Sequence, residues 1–220
     1  MTKKTDSSLH QTPETAAGDL IDVLLEKVKQ NPKDIRSLLM LGNSYYMSGK
    51  IILAIETYKT VIELDPHVSH AYYHIGIAYY RHAKLEEAIR ALEKATEINP
   101  SLVMTYYWLG LSYYHKGLYS HSRQAFETLL QKNQESVIAH YHAALSCIAD
   151  LAWDRARYHL EALVEDDHAD PQVFLLLGKV YFRLRRVEDA IDIYKKGLGL
   201  NPGNQPLQEA VEFLINVQEP

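Results

Sequence analysis

The sequence has a single cysteine, Cys147, and no linker rich in glycine, serine or proline. One thiol cannot form an intrachain disulfide or a cysteine-rich metal site. No apolar run reaches the roughly 18 residues of a membrane span, because charges interrupt even the best candidate, residues 20–28. The first eighteen residues also lack the apolar core of a signal peptide. We therefore expect a cytoplasmic protein without direct membrane insertion.

Basic residues are outnumbered by acidic ones, 23 to 28, which gives a formal net charge of -5 at pH 7. Nucleic-acid binding needs a concentrated basic surface, so this balance argues against a nucleic-acid partner. The sequence also lacks a phosphate-binding glycine-rich loop, a Gly-x-Ser-x-Gly elbow and a dinucleotide fingerprint. We expect no enzyme activity and no cofactor. We interpret His70 and His74 as surface or groove histidines rather than metal ligands, and Cys147 as a buried, inert thiol.

What the sequence does contain is an internal repeat. Leu-Gly or Ile-Gly pairs recur every 34 residues, at Gly42, Gly76 and Gly110, and again after two periods at Gly178. A tyrosine follows each glycine by three residues, at Tyr45, Tyr79, Tyr113 and Tyr181. Three of the units end in Asp-Pro or Asn-Pro, at Pro66, Pro100 and Pro202. The small residues let two helices cross closely, and the proline stops the second helix of each unit.

This pattern resembles the tetratricopeptide-repeat family, whose 34-residue unit is a helix–turn–helix. The resemblance covers five units, 35–68, 69–102, 103–136, 137–170 and 171–204. It implies an all-α fold, a right-handed α-solenoid of stacked antiparallel helix pairs. It also implies a protein-binding function rather than catalysis.

The flanks and the fourth unit depart from the repeat. We expect a flexible polar tail over residues 1–17, a helix of an incomplete repeat over 18–32, and a capping helix over 205–220 with Leu207, Val211, Leu214 and Ile215 on its apolar face. The fourth unit replaces its expected aromatic, Leu, Gly and Tyr residues by His140, Ala143, Ala144 and Cys147. We interpret it as a degenerate but folded repeat; the alternative is a softer joint in the solenoid.

The resemblance places the first helix of each pair on a concave groove. Helical periodicity then assigns Tyr72, Tyr79, Tyr106 and Tyr113 to a core stripe and their neighbours in sequence to a groove stripe. The groove positions that we expect to contact a partner are Arg36, Asn43, Tyr46, His70, Tyr73, Ile77, Tyr80, Arg81, Tyr107, Leu111, Tyr114, His115, Tyr141, Lys179, Phe182 and Arg183.

The predicted groove is apolar, rich in tyrosine and mildly basic, with no acidic residue at these positions. Aromatic residues and arginine contribute most to binding at protein interfaces, so we expect a protein or peptide partner, apolar with some acidic character. Such a protein would be a scaffold, adaptor or assembly factor. The alternative is a self-assembling structural protein, a homo-oligomer whose groove binds a neighbouring copy.

Overall fold

The computed structural model describes residues 13–165 and 170–218. Over these ranges the chain forms twelve helices and no strand, so the predicted all-α class is confirmed. The helices are α1 (Pro13–Gln30), α2 (Ile35–Met47), α3 (Ile51–Leu64), α4 (Ser69–Arg81), α5 (Leu85–Ile98), α6 (Val103–His115), α7 (Tyr119–Lys132), α8 (Val137–Ala149), α9 (Trp153–Val164), α10 (Pro171–Arg183), α11 (Val187–Leu200) and α12 (Gln205–Gln218). No helix in these ranges is long and apolar enough to cross a membrane.

Helix α1 is longer than the sequence predicted. It begins at Pro13, whereas we expected a flexible tail up to residue 17. Proline is favoured at the first position of a helix, where its missing N–H costs nothing, and Glu14, Ala16 and Ala17 are good helix formers. The rest of the predicted tail, residues 1–12, lies outside the described residues.

The helices are arranged in two compact units, Met1–Ser101 and Leu102–Pro220. In the first unit, each helix from α1 to α5 packs against the next. In the second unit, the same holds from α6 to α12, and α10 also contacts α12. Each unit is therefore a stack of helix pairs. The sequence does not mark the division, because the 34-residue spacing continues through it unchanged.

In the four repeats that have the glycine, an aromatic or leucine side chain of the second helix occupies the space that a Cβ would fill. A Cβ on Gly110 would lie 2.6 Å from Cζ of Phe126, and one on Gly76 would lie 2.6 Å from Cγ of Leu92. Phe126 and Leu92 are both fully buried. Because a fully buried side chain of this size stabilises by about 1.5–3 kcal/mol, the glycine in the first helix makes room for the main packing contact of the pair.

The degenerate fourth repeat packs as tightly as its neighbours. Ala144 takes the glycine position and Cys147 the tyrosine position, and both are completely buried. They belong to the core of the second unit together with Leu160 and Leu177. Burial raises the pKa of the Cys147 thiol to about 12, so the thiol stays protonated and unreactive at neutral pH.

Candidate functional site

The sixteen predicted groove residues differ widely in exposure. Six are exposed: Arg36, His70, Arg81, His115, Lys179 and Arg183. Eight are half-buried: Asn43, Tyr46, Tyr73, Tyr80, Tyr107, Tyr114, Tyr141 and Phe182. Ile77 and Leu111 are buried, with 7% and 8% of their surface exposed. These two serve as packing residues rather than groove contacts, since burying a branched aliphatic side chain is favourable wherever neighbouring helices allow it.

The two predicted tyrosine stripes are not distinguished by burial. Tyr45 is buried at the core position, but the other core-stripe tyrosines, Tyr72, Tyr79, Tyr106 and Tyr113, are half-buried like those of the groove stripe. A tyrosine hydroxyl needs water or a hydrogen-bond partner, which keeps many of these rings at the surface of a packed helix.

In the first unit, helices α2 and α4 bring predicted site residues together. The guanidinium of Arg81 lies over the ring of Tyr46, 4.8 Å from its centroid, which joins the ends of the two helices. Cation–π contacts of this kind contribute about 0.5–1 kcal/mol at exposed sites. The contact leaves part of the Arg81 surface facing solvent, as the groove prediction requires.

Asn43 is fixed by a hydrogen bond to a buried side chain of the repeat core. Its Oδ1 accepts a hydrogen bond of 2.6 Å from the hydroxyl of Tyr58, a side chain only 1% exposed. The Tyr58 ring stacks on His74 with centroids 5.6 Å apart. Burial raises the pKa of Tyr58 and lowers the pKa of His74 to about 4. Asn43 therefore satisfies a buried hydroxyl, and the sequence pattern gave no sign of this because Tyr58 lies on the second helix of the pair.

In the second unit, aromatic rings from three helices surround His142. Its ring stacks on Phe126 at 5.3 Å and meets Tyr107 edge-on at 5.6 Å and Tyr141 at 5.6 Å. Burial lowers the pKa of His142, so the ring is neutral at pH 7. Two predicted groove tyrosines thus share a neighbour that the sequence did not single out as a site residue.

One concavity that contains predicted site residues lies between α10 and α12. We call it the α10–α12 cleft; its volume is about 580 Å³. Its lining residues are Leu175, Lys179, Phe182, Arg183, Tyr194, Pro206, Glu209, Ala210, Phe213 and Leu214. Three predicted residues, Lys179, Phe182 and Arg183, therefore meet in one place. Tyr194 comes from α11 and supplies part of the lining.

Phe213 is the cleft residue that the sequence missed. It is 59% exposed, and its ring meets Phe182 edge-on with centroids 6.4 Å apart. Ile215, expected on the buried face of α12, is 41% exposed, whereas Leu207 and Leu214 are buried. The apolar face of α12 is narrower than predicted because the helix rests mainly on α11 and contacts α10 more lightly.

The charges of the cleft are unevenly distributed. Lys179 and Arg183 lie one turn apart on α10, both exposed. Within the described residues neither forms an ion pair, although Arg183 lies 5.9 Å from the ring centroid of Trp153. On the opposite wall, Glu209 accepts a 2.7 Å hydrogen bond from the Gln205 amide. The cleft can therefore take an apolar side chain against Phe182 and Phe213 and a carboxylate beside Lys179.

Metal binding has little support in the described part of the chain. No group of three or more histidine, cysteine, aspartate or glutamate side chains is gathered there with the geometry to hold an ion.

Two family models match the sequence. One, described as TPR repeat, matches residues 42–82 and 84–117. The other, described as tetratricopeptide repeat, matches residues 151–205. Among curated proteins, none matches.

Several solved structures share the fold. YrrB, a TPR protein with an unusual peptide-binding site, is 19% identical with a TM-score of 0.77, over 87% of this chain and 99% of its own. MamA is 26% identical with a TM-score of 0.65, over 71% of this chain and 95% of its own. A chain of the APC/C hetero-tetramer Cut9–Hcn1 is 18% identical with a TM-score of 0.58, over 93% of this chain and 41% of its own.

Proposed function

The chain belongs to the tetratricopeptide-repeat family, and we propose that it is a non-catalytic scaffold that holds a segment of a partner protein. Its fold is typical of protein–protein interaction. YrrB, with its peptide-binding site, and the Cut9–Hcn1 assembly support the same class of function for this chain. The role would be that of an adaptor or assembly factor.

The observation that carries the proposal is the α10–α12 cleft. It combines an aromatic pair, half-buried Phe182 and exposed Phe213, with two cations that have no carboxylate partner in the described chain. Aromatic anchors in a pocket supply most of the binding energy at interfaces, and rim charges set specificity and association rate. The partner segment would pack an apolar side chain against the two rings and place an acidic residue beside Lys179.

The test begins with a peptide-display selection on the purified chain. The affinity of the tightest selected peptide is then measured for the wild type and for two variants, Lys179→Glu and Phe213→Ala. Phe213 is largely exposed, so its truncation should leave the fold intact. We expect each change to weaken binding by about tenfold or more, since loss of an anchor or reversal of a facing charge costs more than about 1.4 kcal/mol.

Lys195→Glu is the matched control. Lys195 is an exposed lysine on α11, outside the residues that line the cleft, so reversing its charge changes the net charge equally without touching the cleft. Its affinity should equal that of the wild type. If selected peptides bind Lys179→Glu and Phe213→Ala as tightly as the wild type, the cleft is not the binding site.

A further inference from the structure

A second polar cluster lies in the third and fourth repeats, on α7, α8 and α9. Its centre is a pair of imidazoles: Nδ1 of His140 lies 3.2 Å from Nδ1 of His159. His159 is 3% exposed. The pair opens onto a cleft of about 690 Å³, whose other lining residues are Glu127, Leu130, Gln131, Gln134, Asp154, Arg155 and Tyr158.

The repeat register shows how unusual the pair is for this chain. His140 occupies the position of Tyr72 and Tyr106 in the second and third repeats, and His159 occupies the position of Ala91 and Ala125. Two titratable rings thus replace a tyrosine and a methyl group. The fourth repeat alone among the five contains a charge-switchable group at both positions.

Hydrogen bonding fixes the tautomers of the neutral pair. Nε2 of His140 lies 3.1 Å from the carbonyl oxygen of Gln134, which can only accept, so this nitrogen carries a hydrogen. Nδ1 of neutral His140 is then an acceptor, and His159 must donate to it from its own Nδ1. Nε2 of His159 is left without a hydrogen, 3.9 Å from a carboxylate oxygen of Glu127.

The charged groups around the pair are already engaged with one another. Glu127 on α7 forms ion pairs with Arg123 at 3.1 Å and with Arg155 of α9 at 3.3 Å. Asp154 and Tyr158 of α9 line the cleft. On α10, which packs against α9, Tyr181 donates to Glu161, Arg183 lies over Trp153, and Lys179 lines the α10–α12 cleft. Glu127 is thus the carboxylate that lies beside His159 in the described part of the chain, and two arginines offset its charge.

We propose that the His140–His159 pair is an acid-sensitive latch between α8 and α9. The pair holds the two helices together while it carries at most one extra proton, and the helices separate when both rings are protonated. The first proton makes His140 an imidazolium, whose Nδ1–H donates to Nδ1 of His159; His159 stays neutral, moves its own hydrogen to Nε2 and points this N–H at Glu127. A second proton places hydrogens on both Nδ1 atoms, and two cations then face each other at hydrogen-bond distance. The bond is lost, and repulsion separates the helices at this joint.

The direction of the pH dependence follows from burial. Desolvation is the largest cause that lowers the pKa of His159 to about 4, and the neighbouring His140 lowers it further. The unfolded or opened ring titrates near about 6.5. Because the folded pKa is the lower one, the stabilisation is complete above about pH 6.5 and is lost as the pH falls toward 4.

Amide hydrogen exchange of the whole chain, read by mass spectrometry at pH 7.5 and pH 5.0 and corrected for the intrinsic exchange rate, tests the latch. We expect peptides from α8 and α9 to open at least about tenfold more often at pH 5.0. Peptides from residues 171–200, which contain no histidine, provide the internal reference and should change much less. Equal protection of α8 and α9 at the two pH values would overturn the proposal.

The repeat register supplies a matched variant, His140→Tyr with His159→Ala, which restores the residues of the second and third repeats. Its α8 and α9 should show a much smaller acid-induced increase in exchange than the wild type, since only His142, whose pKa burial also lowers, is left to titrate on these helices. An acid-induced increase as large as that of the wild type would show that the pair is not the cause.

The tautomers of the two histidines can also be measured directly in the wild type. Long-range imidazole 1H–15N spectra at pH 7.5 should show His140 with its hydrogen on Nε2 and His159 with its hydrogen on Nδ1. The opposite assignment would also contradict the latch.

Discussion

At the scale of single residues, the contact between Gly110 and Phe126 carries the packing of the third repeat. A Cβ at residue 110 would lie 2.6 Å from Cζ of Phe126 and 2.7 Å from Cε2, and the ring is fully buried. Since the ring cannot turn out of its site without opening the core, we expect Gly110→Ala to lower the free energy of unfolding by about 1–3 kcal/mol. Urea denaturation followed by circular dichroism measures the change.

Gly199→Ala is the control for that experiment. Gly199 lies in α11, and a Cβ there would meet no atom within 4 Å. Alanine favours the helix over glycine by about 0.5–1 kcal/mol, so this variant should be slightly more stable than the wild type. If both glycine variants behave alike, close approach is not what the repeated glycine provides.

The half-buried ring of His74, which stacks on Tyr58, predicts acid sensitivity in the first unit. Burial, with a smaller contribution from His70, lowers the pKa of His74 to about 4, below the value near 6.5 of an unfolded chain. The stabilisation is therefore complete above about pH 6.5 and falls as the pH decreases toward 4. At pH 4.5 His74 alone should cost about 2–3 kcal/mol relative to neutral pH.

Urea unfolding of the wild type and of His74→Phe at pH 7 and pH 4.5 measures this cost. Phenylalanine keeps a ring against Tyr58 without a titrating group, so the variant should lose less stability in acid. An identical acid loss in the two proteins would exclude His74 as a source.

At this scale the sequence predicted the environment of residues whose position in the repeat determines their packing. It did not predict the environment of residues whose contacts are made with another helix. The repeated glycines and the buried Cys147 follow from register alone. The bond from Tyr58 to Asn43 does not, because it joins residues fifteen apart on two helices. The burial of Ile77 and Leu111 likewise depends on neighbouring helices, which a helical wheel omits.

At the scale of helices, the 34-residue spacing predicts where the first helix of each repeat begins. Helices α2, α4, α6, α8 and α10 begin at residues 35, 69, 103, 137 and 171, the first residues of the five predicted units. Side-chain caps mark only two of these starts, Asp34 and Asp170, which accept from the backbone N–H of Arg36 and Gln172. Packing between helices, rather than local capping, therefore sets most of the boundaries.

The turn within each repeat requires one residue in the left-handed conformation. Gly49 and Gly117 occupy it in two repeats, whereas Leu151 in the fourth has φ 58° and Arg185 in the fifth has φ 64°. A side chain in this conformation costs roughly 1–2 kcal/mol, and Leu151 is also 67% exposed. We expect Leu151→Gly to raise the free energy of unfolding by about 0.5–1 kcal/mol, net of the added freedom of the unfolded chain.

Asp150→Gly is the neighbouring control. Its φ is -88°, which any residue adopts, so glycine there relieves no strain and should not stabilise. Thermal unfolding of the two variants separates the effects. A lower melting temperature for Leu151→Gly than for the wild type would contradict the account of the turn.

The contacts of the last helix, α12, could be predicted only in part from the sequence pattern. Its heptad-like apolar residues indicated a capping helix, and Leu207 and Leu214 are buried accordingly. The pattern could not show that α12 also leans on α10, nor that Phe213 would face Phe182 across a cleft. The sequence pattern therefore predicted the cleft residues of α10, whereas the cleft residues of α12 became evident only from the fold.

At the scale of the whole molecule, repeat stacking leaves each unit with a core of its own, and some of the predicted groove residues lie in each unit. In the first unit, the groove residues are partly committed to the framework through Asn43 and through the Arg81–Tyr46 contact. In the second unit, the α10–α12 cleft keeps both its aromatic pair and its cations available. We therefore propose that the partner binds to the second unit.

An NMR titration tests this central claim most directly. The isotope-labelled chain is titrated with the peptide of highest affinity from the display selection, and backbone amide shifts are followed by residue. We predict that the largest shifts fall on α10 and α12, around Lys179, Phe182 and Phe213, with α9 and the first unit little affected. Shifts concentrated on α2 and α4, or spread over the second helices of the repeats, would contradict it.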